Sequence, residues 1–395
     1  MFQNRFIHTT ESRANNLDAL RFVLACVVIH SHSYLLTGHD YHSLRAKAMH
    51  LQIGGGWLAV DFFFMLSGFL VCNSWLHCRG LGDYLKRRTL RIYPGFVAAL
   101  AFCVFIVGPL GGADLARYFR NGQTWAYFRP LLLGPLGNLP GVFANAPWAG
   151  QVNVPLWTIR FEFICYLVLA AMGLAGLLRR RRIVLAMFLV MAAGYAAQLH
   201  GWPQPWPATA PYFGAVDEFP RFIVFFLAGA AFYLYREHIP QSGLLAMLAL
   251  CGVALGAATG TTQIALPFCG AYLIFYLAFH RTLRVHHFAR RGDFSYGMYL
   301  YGFPVQQLLV RYLPAANHPL ILTMLSLVGA LLLAALSWHG VEKPFLKLKR
   351  KSVEGPVGVR ARSEEWDSGV QHLEKCRAGL AKPHAREPEG VSVLT

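Results

Sequence analysis

Long apolar stretches separated by short polar segments dominate the hydrophobic pattern of this chain. A membrane-spanning helix needs about 20 mostly apolar residues, and stretches of roughly that length recur through most of the sequence. We predict about ten spans, at 17–37, 57–76, 94–110, 156–177, 183–199, 218–236, 244–259, 262–279, 293–313 and 319–340. The predicted fold class is therefore an all-α polytopic membrane protein.

Composition and charge support this class. Only 14% of the residues are charged and the mean hydropathy is +0.40, whereas soluble domains carry about 25% charged residues. The formal net charge is +17, but Lys and Arg concentrate in alternate loops, as they do in the cytoplasmic loops of membrane proteins. We interpret the charge as a topology signal that predicts an N-in, C-in protein of the bacterial inner membrane, with no nucleic-acid partner.

The chain divides into two parts by composition. Residues 1–348 hold the predicted spans, with a long outer loop at 111–155 that is rich in Gly, Pro, Asn and aromatic residues. A loop of this length is either functional or a connector, and both interpretations stay open. Residues 349–395 are polar and predict a disordered cytoplasmic tail. The eight cysteines form no CxxC pair, so we predict neither a disulfide framework nor a metal site.

The first span carries an ionisable stripe. Eleven residues turn a helix by about 1,100°, so Arg21 and His32 share one face, about 16 Å apart along the axis, and Asp18 lies near that face. His30 points the opposite way. Ionisable side chains within a membrane usually face a cavity or a partner, so this face is a candidate active site.

Four ionisable residues fall at a similar depth near the outer side. They are His32, Asp61, Arg160 and Glu162. A histidine oriented by a carboxylate is a plausible general base, which favours chemistry for His32 with Glu162. Asp61 and Arg160 could instead form a structural ion pair that joins two helices.

Basic residues cluster at the inner end of the third span, at Lys86, Arg87, Arg88 and Arg91. Arg88 and Arg91 are three residues apart and share a helix face. Such a pair suits a polyphosphate, because Arg makes bidentate contacts to phosphate oxygens. The same residues could serve only to fix topology or to bind lipid headgroups.

Six motifs occur in a fixed order along the chain. They are Leu17-Asp18-x-Leu20-Arg21 with His32 eleven residues after the arginine, Gly55 followed by Asp61-Phe62-Phe63-Phe64-Met65-Leu66-Ser67-Gly68-Phe69-Leu70, Arg88-x-x-Arg91-Ile92-x-Pro94, Pro155-Leu156-Trp157-Thr158-Ile159-Arg160-Phe161-Glu162, Ser295-Tyr296-Gly297-Met298-Tyr299-Leu300-Tyr301, and Glu342-Lys343-Pro344-Phe345. In this order, over residues 15–348, they resemble the acyltransferase-3 family of integral-membrane O-acyltransferases. One position departs from the resemblance, because Gly302 stands where many relatives have a histidine.

The resemblance implies transfer of an acyl group, expected to be acetyl, from cytoplasmic acetyl-CoA to a hydroxyl of an extracytoplasmic polysaccharide or lipid-linked saccharide. Three sets of site residues follow. The catalytic set is His32, Glu162, Arg21 and Asp18; the set that binds acyl-CoA is Arg88, Arg91, Arg87 and Lys86; the set that lines the substrate cavity is Asp61, Arg160, Trp157, Ser67 and Tyr299. No metal is expected, and membrane lipids are the expected surroundings.

Two other classes of function stay open at this point. The protein could be a transporter of a glycan, lipid or acyl carrier, with His32, Asp61 and Glu162 as a proton relay. It could also be an accessory scaffold of an envelope-synthesis complex. Against the transporter, the sequence has no inverted repeat and no pair of broken helices.

Overall fold

The computed structural model describes residue 6 and residues 15–39, 54–145, 150–202, 209–210, 214–215, 217–280, 288 and 292–350. Contacts divide the chain into two units, residues 1–347 and residues 348–395. The predicted tail, 349–395, lies outside the described residues except for the last two residues of a helix.

Helices make up nearly all of the regular structure. In chain order they are α1 (Leu17–Leu36), α2 (Gly55–Leu76), α3 (Leu81–Leu110), α4 (Leu115–Arg120), α5 (Gly122–Ala126), α6 (Trp157–Leu174), α7 (Arg181–Leu199), α8 (Phe219–Tyr235), α9 (Gly243–Thr259), α10 (Thr262–Ala278), α11 (Ser295–Tyr312), α12 (Pro319–Ser337) and α13 (Lys343–Arg350). Turns of 3-10 helix lie at Arg129–Leu132, Val154–Leu156, Leu177–Arg179 and Pro314–Asn317. One antiparallel pair of two-residue strands joins β1 (Thr209–Ala210) to β2 (Gly214–Ala215).

Within the described residues, a long helix occupies each of the ten predicted stretches, and the all-helical class is confirmed apart from the strand pair. Six helices are long and apolar enough to cross a membrane: α1, α2, α3, α6 with its preceding turn, α7, and α12 continued through α13. The apolar helices α8, α9 and α10 are shorter.

Helix α3 begins thirteen residues before the predicted span, at Leu81 rather than residue 94. The predicted third span, 94–110, begins at Pro94. The structure instead places Pro94 inside the helix, because the basic segment before it is amphipathic and continues the same helix. Three π-helical turns interrupt the helices, at Cys103–Val107 in α3, Leu266–Gly270 in α10, and Trp338–Glu342 between α12 and α13.

Helices α2 and α8 pack in direct backbone contact through two glycines. A Cβ atom added to Gly68 would lie 1.9 Å from the carbonyl oxygen of Phe226, and one added to Gly229 would lie 1.9 Å from that of Met65. Small residues permit such close approach between membrane helices. The same pair of helices is joined by a buried ion pair, in which Arg221 Nε and Nη2 donate to the two oxygens of Asp61 at 2.8 and 2.7 Å.

Candidate active site

A cavity lined by arginines lies among α1, α2, α3, α6 and α11. We call it the arginine cavity; its empty space, counted together with the open solvent at its mouth, is about 760 Å³. Its polar lining consists of Arg21, Ser67, Arg88, Arg91, Thr158, Glu162, Tyr166, Ser295, Tyr296 and Tyr299. The structure therefore brings Arg21 to the Arg88–Arg91 pair, although the three residues come from two separate helices.

Asp293, in the turn before α11, holds two of these arginines. Its Oδ2 accepts a hydrogen bond from Arg21 Nη1 at 2.8 Å and another from Arg91 Nη2. Its Oδ1 accepts from the Ser295 backbone N–H at 3.2 Å and from the Ser295 hydroxyl at 2.5 Å. Burial alone would raise the pKa of this carboxyl, but Arg21, Arg91 and the two hydrogen bonds from Ser295 together outweigh burial and hold the pKa well below its usual range.

Asp293 is not among the site residues predicted from the sequence. The sequence feature that could have revealed it is the Asp-x-Ser pattern at the start of the predicted ninth span, because acidic residues are common at the beginning of a helix. Asp18, which we had placed in the catalytic set, lies in the first turn of α1 within electrostatic range of Asp293 and Arg21. It is not among the residues that line the arginine cavity.

Glu162 contacts hydroxyl groups in the arginine cavity. Its Oε1 accepts a hydrogen bond from Ser67 Oγ at 2.9 Å and another from the Tyr166 hydroxyl. The Tyr166 ring lies 5.8 Å below the Arg88 guanidinium, and Arg88 Nη2 also donates to Ser74 Oγ at 3.1 Å. The described contacts of Glu162 therefore include Ser67 and Tyr166 but not His32, so the predicted Glu162–His32 contact is wrong in this structure.

His32 lines a second cavity, which we call the histidine cavity. Its empty space, counted together with the open solvent at its mouth, is about 950 Å³, and it is also lined by Ser31, Trp57, Trp157 and Pro155. The His32 ring packs edge-to-face against Phe303 at 5.2 Å between centroids, and Trp57 and Trp157 meet edge-to-face at 5.9 Å. Part of the predicted outer loop, through Val154 and Pro155, thus contributes to this cavity.

Three residues lie at the boundary between the two cavities, and we call them the wall. Val60, Thr158 and Tyr299 line both cavities. The Thr158 and Tyr299 hydroxyl oxygens are 2.6 Å apart and lie 3.1 and 2.9 Å from the Pro155 carbonyl oxygen. Each hydroxyl has one proton, so one of them donates to the other hydroxyl while that one donates to the Pro155 carbonyl. The side of α1 that carries Arg21 and His32 therefore faces both cavities, one on each side of this wall.

Several predicted site residues lie elsewhere. Asp61 pairs with Arg221, so the alternative of an Asp61–Arg160 ion pair is wrong. Arg160 lies over the Phe161 ring at 4.5 Å and lines an apolar groove beside α7. Helical periodicity could not reveal Arg221 as the partner, because the partner is set by the packing of α2 on α8.

Arg87 and Lys86 do not line the arginine cavity. Arg87 Nη2 forms an ion pair with Asp83 Oδ2 at 2.7 Å, one turn earlier in α3, and Lys86 is exposed. Of the four basic residues assigned to acyl-CoA, only Arg88 and Arg91 face the cavity. The described residues include no cluster of three His, Cys, Asp or Glu side chains that could hold a metal ion.

Residues 14–339 match the family model described as "Acyltransferase domain". The chain belongs to the acyltransferase-3 family. It is a membrane O-acyltransferase, and it is 26% identical over 345 residues to the O-acetyl transferase of Shigella phage Sf6, covering 85% of this chain and 96% of the phage protein. No solved structure matches the chain.

Two further relatives of this acyltransferase come from rhizobia. Nodulation protein 10 of Rhizobium leguminosarum bv. viciae is 27% identical over 381 residues, covering 87% of this chain and 96% of the relative. Protein 2 in the picA locus of Rhizobium radiobacter is 29% identical over 201 residues, covering 46% of this chain and 94% of the relative.

Gly302 of the acyltransferase faces α1 at close range. A Cβ atom at this position would lie 2.6 Å from Ile29 Cγ1. The packing of α11 on α1 thus leaves no space for a larger side chain in this arrangement. The histidine that the resemblance implies here has no equivalent in the geometry of this site.

Proposed function

We propose that this O-acyltransferase moves an acetyl group from acyl-CoA, bound in the arginine cavity, to a hydroxyl of a saccharide, bound in the histidine cavity. The observation that carries the proposal is the shared wall of Val60, Thr158 and Tyr299, which has three arginines on one side and His32 on the other. A donor site and an acceptor site that meet at one boundary suit a two-substrate transfer.

The arginine cavity suits the phosphates of coenzyme A. Guanidinium groups make charge-assisted, often bidentate hydrogen bonds to phosphate. Asp293 fixes Arg21 and Arg91 relative to one another, which reduces the entropy lost when they bind a ligand. Arg88 can donate a further hydrogen bond to a phosphate oxygen, since its buried Nε has no hydrogen-bond partner among the described residues.

The histidine cavity suits a saccharide. Binding sites usually combine apolar and aromatic walls with a few placed polar groups, and here Trp57 and Trp157 stand beside His32 and Ser31. We propose an extracytoplasmic polysaccharide or a lipid-linked saccharide as the acceptor, with membrane lipids around the helices. The name of the phage relative, an O-acetyl transferase, supports acetyl as the group transferred.

In the proposed reaction, His32 acts as general base. It removes the proton of the acceptor hydroxyl as that oxygen attacks the thioester carbonyl carbon. The carbon–sulfur bond breaks, a new oxygen ester forms, and the coenzyme A thiolate takes up a proton. Glu162 does not orient the imidazole in this scheme; with Ser67 and Tyr166 it shapes the donor side.

The proposed orientation places the arginine cavity toward the cytoplasm, where acyl-CoA is made. It requires the predicted N-in, C-in topology, with about ten spans in a bacterial inner membrane. The six helices of sufficient length and the excess of basic residues in alternate loops support this orientation.

The proposal is tested with purified protein in liposomes. Radiolabelled acetyl-CoA is placed on one side and candidate envelope glycans on the other, and label is followed into an alkali-labile ester. We expect ester in the unaltered protein and none in His32→Ala. Movement of labelled glycan across the bilayer without ester would favour the transporter instead. That alternative lacks support here, because Asp61 is bonded to Arg221 and lines neither cavity.

A further inference from the structure

We infer that the Thr158–Tyr299 hydrogen bond is a seal between the two cavities, and that Tyr299 is a positioning residue that keeps acyl-CoA from water until an acceptor is bound. The inference rests on the proposed function. It adds a role that the transfer chemistry alone does not require, which is protection of the thioester from hydrolysis.

The wall is held by two side-chain hydroxyls and one backbone carbonyl. Thr158 Oγ1 and Tyr299 OH are 2.6 Å apart and meet at the Pro155 carbonyl oxygen. These bonds join the beginning of α6 to α11, two helices that are distant in the sequence. Rotation of one tyrosine side chain would open the wall and leave every helical hydrogen bond intact, so the wall can open at modest cost.

The wall lies next to the polar groups of the donor side. Thr158 precedes Glu162 by four residues in α6, and Tyr299 follows Ser295 by four residues in α11, so each is about 6 Å, one helical turn, from a polar residue of the arginine cavity. An acyl group carried by coenzyme A among the arginines would therefore meet Tyr299 before it could meet His32.

An open wall would expose the thioester to a competing reaction. Water entering from the histidine cavity would attack the carbonyl carbon, and the carbon–sulfur bond would break. The products would be free acetate, the coenzyme A thiol and a proton. Closing a site against water is a general means of suppressing such side reactions. The hydrogen-bonded hydroxyls of Thr158 and Tyr299 keep water out of the donor side when they are in contact, as they are in this structure.

The experiment measures acetate released from radiolabelled acetyl-CoA in the absence of acceptor, together with ester formed in its presence. The variants are Tyr299→Ala, which removes the ring and hydroxyl, Tyr299→Phe, which removes only the hydroxyl, and Thr158→Val. The matched control is Tyr301→Phe, which removes a buried hydroxyl from the same helix but lines neither cavity.

We expect acceptor-free acetate release to rise several-fold in Tyr299→Ala and Thr158→Val, less in Tyr299→Phe, and not at all in Tyr301→Phe. The KM for acetyl-CoA should stay unchanged, because the arginines are intact. Ester formed per acetyl-CoA consumed should fall in the same order as acetate release rises.

Two results would overturn the seal. One is acetate release at the level of the unaltered protein in all three variants, with acetyl-CoA binding retained. The other is a parallel fall of transfer and hydrolysis, which a merely structural role would produce. If the unaltered protein transfers acetyl but no variant releases more acetate, only the seal hypothesis is refuted. If the unaltered protein neither transfers acetyl nor hydrolyses acetyl-CoA, the proposed function is refuted as well.

Discussion

The imidazole of His30 lies 3.2 Å from the hydroxyl of Thr323, on the side of α1 opposite to His32. The two histidines are two residues apart, yet one contacts α12 and the other lines the histidine cavity. Replacing His32 by Ala should lower transfer by about 100-fold or more, the usual contribution of a general base. Replacing His30 by Ala removes the hydrogen bond to Thr323 and should leave most of the activity. Initial rates of ester formation test this, and equal losses in both variants would contradict the assignment of His32.

Asp293 should affect donor binding more than the chemical step. In Asp293→Asn the amide oxygen can still accept from Ser295, but the negative charge that holds Arg21 and Arg91 is lost. We expect acetyl-CoA affinity to fall by about tenfold, as for loss of one or two charge-assisted hydrogen bonds. Asp83→Asn is the control, because it breaks the Asp83–Arg87 pair away from the cavity. Tighter binding by Asp293→Asn would mean that Asp293 competes with phosphate for the arginines.

The lowered pKa of Asp293 predicts that this carboxyl stays ionised between pH 8 and pH 5. Arg21, Arg91 and the two hydrogen bonds from Ser295 hold its pKa below the usual range against the effect of burial. The stability that the ionised group supplies is present above the unfolded pKa of about 3.9 and is lost only as the pH falls through the lower folded pKa. Lowering the pH from about 8 to about 5 should therefore not reproduce the Asp293→Asn phenotype. The acetyl-CoA affinities of the unaltered protein and of Asp293→Asn are measured across this range. Equal affinities of the two proteins at pH 5 would refute the prediction.

Gly68 allows a test of how α2, the helix that carries Asp61 and Ser67, packs against α8. Gly68→Ala would place a Cβ 1.9 Å from the Phe226 carbonyl oxygen, so α2 and α8 would have to separate. We expect a lower unfolding temperature in detergent and a loss of folded protein. Gly194→Ala is the matched control, because nothing lies within 4 Å of a Cβ there, and alanine favours a helix over glycine by up to about 1 kcal/mol. Equal stability of the two variants would contradict the close contact of α2 with α8.

The helices and the approach of Arg88 to Arg91 could be predicted from the sequence, because hydropathy and helical periodicity are local properties. The partners of buried charges could not. Asp61 and Arg160 lie at a similar depth, but Asp61 bonds to Arg221, since α2 packs on α8 through Gly68 and Gly229. Depth along a helix gives no information on which neighbour a side chain faces.

The same limit explains why the contacts of Glu162 and Asp293 could not be predicted from the sequence. Glu162 shares a depth with His32 but turns toward Ser67 and Tyr166, on the other side of the Thr158–Tyr299 wall. Asp293 lies in a short turn that has no hydropathy signal of its own, yet it contacts helices α1 and α3. Both arrangements depend on tertiary packing, which a single sequence does not reveal.

Direct measurement of acetyl-CoA binding tests most closely the central claim that donor and acceptor sites lie on opposite sides of one wall. Isothermal titration would compare the unaltered protein, Arg88→Ala with Arg91→Ala, and His32→Ala. We predict that the double arginine variant binds acetyl-CoA at least about tenfold more weakly, whereas His32→Ala binds it as the unaltered protein does and forms no ester. Loss of binding in His32→Ala, or unchanged binding in the arginine variant, would contradict the account.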